Sequence, residues 1–151
     1  MSYFSGRDVA PTPNADDAPF WSNCAQHVLK FQKCRACGTL THPPIGVCPH
    51  CQSIERGWFE APSVARVYSF TWIHTAAHDA VADRLPYNVV VVEFPELPGV
   101  RLISNVVDVK PGELAIGDPI ALVWEPFGEA GALPRFRKGA QGVIAPPPPA
   151  R

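Results

Sequence analysis

Four cysteines, spaced Cys34-x2-Cys37, ten residues, Cys48-x2-Cys51, constrain this chain more than any other feature. Each Cys-x2-Cys turns the backbone back within two residues, so both sulfurs can face one ion about 2.3 Å away. Two such pairs complete a tetrahedral sulfur shell. That shell suits zinc, with iron in a rubredoxin-like site as the competing metal. It is closed, so the metal is expected to be structural and not to activate water. Gly38 follows the first pair, where a positive φ is cheap, and Pro49 stiffens the second. His42 and His50 lie nearby, find the shell filled and are expected at the surface. Cys24 stands apart on a helix face and reads as a packing residue.

A stretch rich in Pro and Gly around these cysteines cannot make a core of its own, which fits a module folded around metal. The whole chain of 151 residues is long enough for a separate hydrophobic core. With 46% hydrophobic and 18% charged residues it reads as folded. A net charge of −1, from 13 basic and 14 acidic residues, offers no broad basic field for a phosphate backbone. The opening segment carries Asp8, Asp16 and Asp17 and no apolar leader, and the apolar run Val89–Val92 is far too short to span a membrane. A cytoplasmic location is expected, where paired cysteines hold metal more often than they form disulfides.

Four regions follow. Residues 1–19 are expected to be a flexible arm, 20–57 a helix plus zinc ribbon, 58–138 a β domain, and 139–151 a disordered tail ending in Pro146–Pro149. The helix is expected over Phe20–Leu29, with Phe20, Trp21, Cys24 and Val28 on one side. Ser63–Thr75 is a long strand that places Tyr68, Phe70, Trp72 and His74 on one face. Tyr87–Phe94 reads as a strand buried on both faces, followed by strands at Val100–Val107, Pro119–Trp124 and Leu133–Lys138. Five strands joined by short turns suit an OB-fold barrel. The expected fold is therefore mainly β: a short N-terminal helix, a rubredoxin-like zinc ribbon and a C-terminal five-stranded OB-fold barrel.

Candidate chemistry beyond the metal is sparse. The face with Tyr68, Phe70 and Trp72 is either core or a surface for a flat or acyl ligand. Arg135, Arg137 and Lys138 form a dense basic cluster that suits phosphates or, more plainly, a solvated edge strand. His74, His78 and Asp79 offer the one place for a general base. No phosphate loop, zinc-hydrolase helix or nucleophile elbow is present, and no residue is assigned as catalytic.

In order, Phe20-Trp21, Cys34-Arg35-Ala36-Cys37-Gly38, Pro43-Pro44, Cys48-Pro49-His50-Cys51, Val67-Tyr68-Ser69-Phe70-Thr71, Pro86-Tyr87-Asn88-Val89 and Ser104-Asn105-Val106-Val107-Asp108 resemble one family. It is the acyl-CoA-associated family that joins a rubredoxin-like zinc ribbon to an OB-fold, long known only as a domain of unknown function. The resemblance runs from about Phe20 to Lys138. It implies a partner of thiolase-superfamily enzymes, thiolase or aldolase, some of them in steroid side-chain breakdown. The small protein would bridge subunits or hold acyl-CoA while the partner supplies catalytic groups. Relatives often carry Arg after the double proline, where this chain has Ile45, so no phosphate contact is implied there. The expectation is a zinc-binding accessory subunit in a hetero-oligomer, not catalytic alone, contacting neither membrane nor nucleic acid. The competing readings are an acyl-CoA hydratase or thioesterase in its own right, using His74, His78 or Asp79, and a single-stranded nucleic-acid binder, since both modules serve that role elsewhere.

Overall fold

The computed structural model describes residues 11–127 and 131–139. Most of the expected N-terminal arm and nearly all of the proline-rich tail lie outside the described residues.

The helix α1 spans Ala18–Ala25, with Pro19 in its first turn, where a missing N–H costs nothing. It is shorter than the pattern Phe20–Leu29 suggests, because the chain reverses at His27, whose φ is 59°. The N–H groups of Gln26 and Val28 then close on the Asn23 carbonyl. His27 also stacks on Trp124, with ring centroids 5.5 Å apart, which fixes the end of the helix against the barrel. Phe20 and Cys24, one turn apart, are the buried residues of α1.

Three strands build the ribbon: β1 (Lys30–Cys34), β2 (Leu40–Thr41) and β3 (Arg56–Glu60), antiparallel in the order β2-β1-β3. The second sheet holds β4 (Val64–Ile73), β5 (Tyr87–Glu93), β6 (Arg101–Ser104), β7 (Val106–Val107), β8 (Pro119–Phe127) and β9 (Gly131–Lys138) in the order β6-β5-β4-β8-β9-β7. β6 and β7 are two halves of one strand that changes partner at Asn105. Residues before it pair antiparallel with β5, and residues after it pair parallel with β9. Counted as one, they leave five strands, and the change of partner closes the OB-fold barrel.

The strand β4 corrects one expectation. Tyr68 does not share a face with Phe70 and Trp72. Val67 pairs with Val92 and Ser69 with Val91, so Tyr68 is the extra residue of a β-bulge. The bulge reverses the alternation along β4. Ala65 and Val67 are buried before it, and Phe70 and Trp72 turn to the core after it. Tyr68 is left on the outer surface. In β5 the burial alternates instead of covering both faces, with Asn88, Val90 and Val92 inward.

One apolar cluster joins the two modules. Phe20, Cys24, Leu29 and Phe31 from the helix and ribbon pack with Val67, Val90, Val92, Phe94, Ile120 and Phe136 of the barrel. The rings of Phe31 and Phe94 meet edge-on at 5.2 Å. Burial of this continuous set is the main term holding ribbon and barrel together.

Candidate metal centre and inter-module cleft

The two Cys-x2-Cys turns have the same local geometry. In the first, Gly38 N–H donates to the Cys34 carbonyl at 2.9 Å and Cys34 N–H to the Thr39 carbonyl at 2.9 Å. In the second, Gln52 N–H donates to the Cys48 carbonyl at 3.0 Å and Cys48 N–H to the Ser53 carbonyl at 2.9 Å. Gly38 and Gln52 take corresponding left-handed positions, with φ of 77° and 63°. Sequence reasoning finds the glycine and misses the glutamine, which has no such preference to betray it.

The Sγ atoms of Cys34, Cys37, Cys48 and Cys51 all lie within 4.8 Å of one another, with Cys34–Cys51 and Cys37–Cys48 at 3.6 Å. A tetrahedron with Zn–S bonds of about 2.3 Å has edges of about 3.8 Å, so the four sulfurs fit zinc. Their acidities also call for a cation. Side-chain and backbone hydrogen bonds with Thr39 pull Cys37 down to about 6. Cys51 gains a similar pull from the Ser53 backbone, yet the neighbouring Cys37 sulfur, burial and the other thiols push it up to about 12. Four thiols this close cannot all ionise unless a positive ion sits among them. Cys24 lies outside the cluster in the apolar core, where burial raises its thiol to about 12.

His42 is not the surface residue that its sequence position suggests. Its ring lies between Phe20 at 5.0 Å and Phe31 at 5.2 Å, and its Nδ1 is buried without a hydrogen-bond partner among the described residues. Burial holds its pKa down at about 4, so the ring is neutral. The loop that carries it is clamped by the buried Gln32 side chain, which accepts from Ile45 N–H at 3.0 Å and donates to the Ile45 carbonyl at 2.9 Å.

This clamp sets Pro43 and Pro44 on the wall of a half-open cleft of about 530 Å³. One wall is Phe20, Trp21 and His42–Pro44; the other is the slot where β6 and β9 diverge, formed by Arg101–Ile103 and Leu133–Arg135. At the apex of the slot Ser104 Oγ donates to the Pro134 carbonyl at 2.7 Å and Phe136 N–H to the Asn105 carbonyl at 3.0 Å. Asn88 holds both the N–H and the carbonyl of Val106 at 2.8 Å, and Asn105 Nδ2 donates to the Asn88 carbonyl. Arg135 is buried here, bonded to Glu125 at 2.7 Å and to the Asn105 side chain at 2.6 Å. A smaller cavity of about 220 Å³, lined by Tyr87, Val89, Ile103 and Arg135, adjoins the same apex.

The expected ligand residues therefore separate. Phe70 and Trp72 pack against the core, and Tyr68 lies outside under Arg101. Arg135 reaches the cleft, whereas Arg137 pairs with Asp108 at 2.7 Å and Lys138 with Asp118 at 3.0 Å. His74, His78 and Asp79 are exposed and line neither cavity. His78 serves as a cap, its Nδ1 accepting from Ala80 N–H at 3.1 Å.

Residues 21–54 match the model of the ChsH2 rubredoxin-like zinc ribbon domain, and residues 58–125 that of the ChsH2 C-terminal OB-fold domain. A DUF35 domain-containing scaffold protein of Methanothermobacter thermautotrophicus is 32% identical over 115 residues, covering 74% of this chain and 83% of that protein. The chain belongs to the DUF35 family. Another DUF35 relative is a solved structure described as the Ltp2-ChsH2(DUF35) aldolase. It superposes with a TM-score of 0.78 at 38% identity, covering 85% of this chain and 98% of that one. A probable enoyl-CoA hydratase alpha subunit of Thermomonospora curvata is 41% identical over 128 residues, or 84% of this chain; the chain spans 39% of that protein's length. The DUF35 ribbon is a zinc ribbon, which decides between zinc and iron. No helix among the described residues is long and apolar enough to cross a membrane.

Proposed function

We propose that this DUF35 chain is a zinc-stapled accessory subunit that docks on a thiolase-superfamily enzyme, a thiolase or aldolase, and helps position its acyl-CoA. Cys34, Cys37, Cys48 and Cys51 hold the zinc. The observation that carries the reading is the cleft of about 530 Å³. Its walls are largely apolar, and its size suits an acyl arm. The titratable groups on those walls are Asp17, His42, Arg101 and Arg135. Asp17 is engaged by Asn14 N–H at 2.6 Å, His42 is neutral and Arg135 is tied to Glu125. Such a lining holds a ligand without supplying an acid–base pair, so the chemistry belongs to a partner. The aldolase named for one relative and the scaffold role named for another support the same division of labour.

The zinc ion supplies no reaction step in this reading, because its shell is closed by sulfur. The chain's own residues bind and orient. Phe20, Trp21 and the two prolines exclude water from the acyl arm, and the Asn88–Asn105 clasp fixes the angle of the slot. Co-expression with a thiolase-superfamily aldolase, followed by size-exclusion chromatography, tests the proposal. The two chains should co-elute, and the aldolase should lose turnover when this chain is omitted. Separate elution with a fully active aldolase would sink it.

A further inference from the structure

The cations that the sequence offers for phosphate are engaged elsewhere. Arg137 and Lys138 pair with Asp108 and Asp118, and Arg135 is buried against Glu125. Arg101 stands apart from that cluster. This residue is exposed, lines the cleft and forms no ion pair among the described residues. Its guanidinium carbon sits 3.5 Å from the centroid of the Tyr68 ring. The bulge that expels Tyr68 from the core is what puts this ring under Arg101. A guanidinium whose carbon sits over an aromatic face has N–H donors that lie in its own plane and reach past the ring edge. It is thus a cation held in place with its donors free to meet an anion.

We infer that Arg101, held over the Tyr68 ring, anchors the phosphate-bearing head of an acyl-CoA whose acyl arm lies in the cleft. This rests on the proposed acyl-CoA role and adds the residue that recognises the head. Ile103, two residues along the same strand and also exposed, shares the cleft lining with Arg101, so a cation and apolar surface adjoin in one cleft. Tyr68 acts as a positioning residue, through the arginine.

The test compares octanoyl-CoA with octanoyl-pantetheine, which shares the acyl arm but lacks the phosphates. Binding of each to the zinc-loaded full chain is measured by titration calorimetry. The wild type should prefer the CoA ester. Arg101→Gln should weaken it about tenfold and leave the pantetheine ester unchanged. Tyr68→Ala should give a smaller loss, about threefold, and Tyr68→Phe none, because the ring is what holds the cation. Both side chains are substantially exposed, so the variants should keep the wild-type melting temperature. A preference for CoA that survives Arg101→Gln overturns the anchor and leaves the acyl-CoA role intact. Equal wild-type affinity for the two esters does the same. Failure of the wild type to bind either ester overturns both.

Discussion

His42 shows how much a single ring can matter here. Its neutral form is favoured in the fold, with a pKa lowered from 6.5 to about 4 by burial. An unfolded chain takes up this proton first as the pH falls. The residue's contribution is complete above about pH 6.5 and fades as the pH drops toward 4. Between pH 7 and pH 5 that loss comes to about 2 kcal/mol. Replacing it with an aromatic that cannot titrate should remove the loss. The melting temperature of His42→Phe should therefore rise relative to wild type as the pH is lowered over this range. Comparing the two proteins cancels the acid sensitivity of the cysteine thiolates, which both share. A constant gap at every pH would show that the ring is not held neutral. Arg101 lies at the same scale, and its consequence is affinity and not stability.

Among the elements, ribbon and barrel answer differently to metal. The two knuckles, residues 34–39 and 48–53, contribute no residue to the common core, whereas Leu29 and Phe31 belong to it and Leu40 packs against it. Zinc removal should thus divide the ribbon along its length. Amide exchange after chelation should rise by orders of magnitude over residues 34–39 and 48–53, and protection should persist at Phe31 and in β4, β5 and β8. Loss of barrel protection at the same rate would contradict this. The metal pairs, the barrel strands and the family resemblance were all legible in the sequence, because spacing and alternation are local signals. The bulge at Tyr68 was not, since an extra residue in a strand leaves the composition unchanged and shows only in register. Nor was the partner change at Asn105, which depends on where β9 returns. The motif residues Asn88, Ser104 and Asn105 carried the resemblance before their task, clasping the slot, could be seen. The basic run on β9 does not act as one patch: Arg135 is buried against Glu125, while Arg137 and Lys138, adjacent and so on opposite faces, meet Asp108 and Asp118.

At the scale of the molecule, the cleft has one wall from each module. The residues His42–Pro44 come from the segment between the two cysteine pairs, so the metal pins both ends of that wall. A ligand lying across the cleft should bind the zinc-loaded form better than the stripped one. The two equilibria are then linked, and linkage is reciprocal. Octanoyl-CoA should raise zinc affinity by the same factor by which zinc raises affinity for octanoyl-CoA. Competition with a chromophoric chelator, with and without the ester, would measure one side of that square, and calorimetry on zinc-stripped protein the other. A structural ion far from any chemistry would then register whether the cleft is filled, and a filled cleft would in turn protect its zinc from rival ligands.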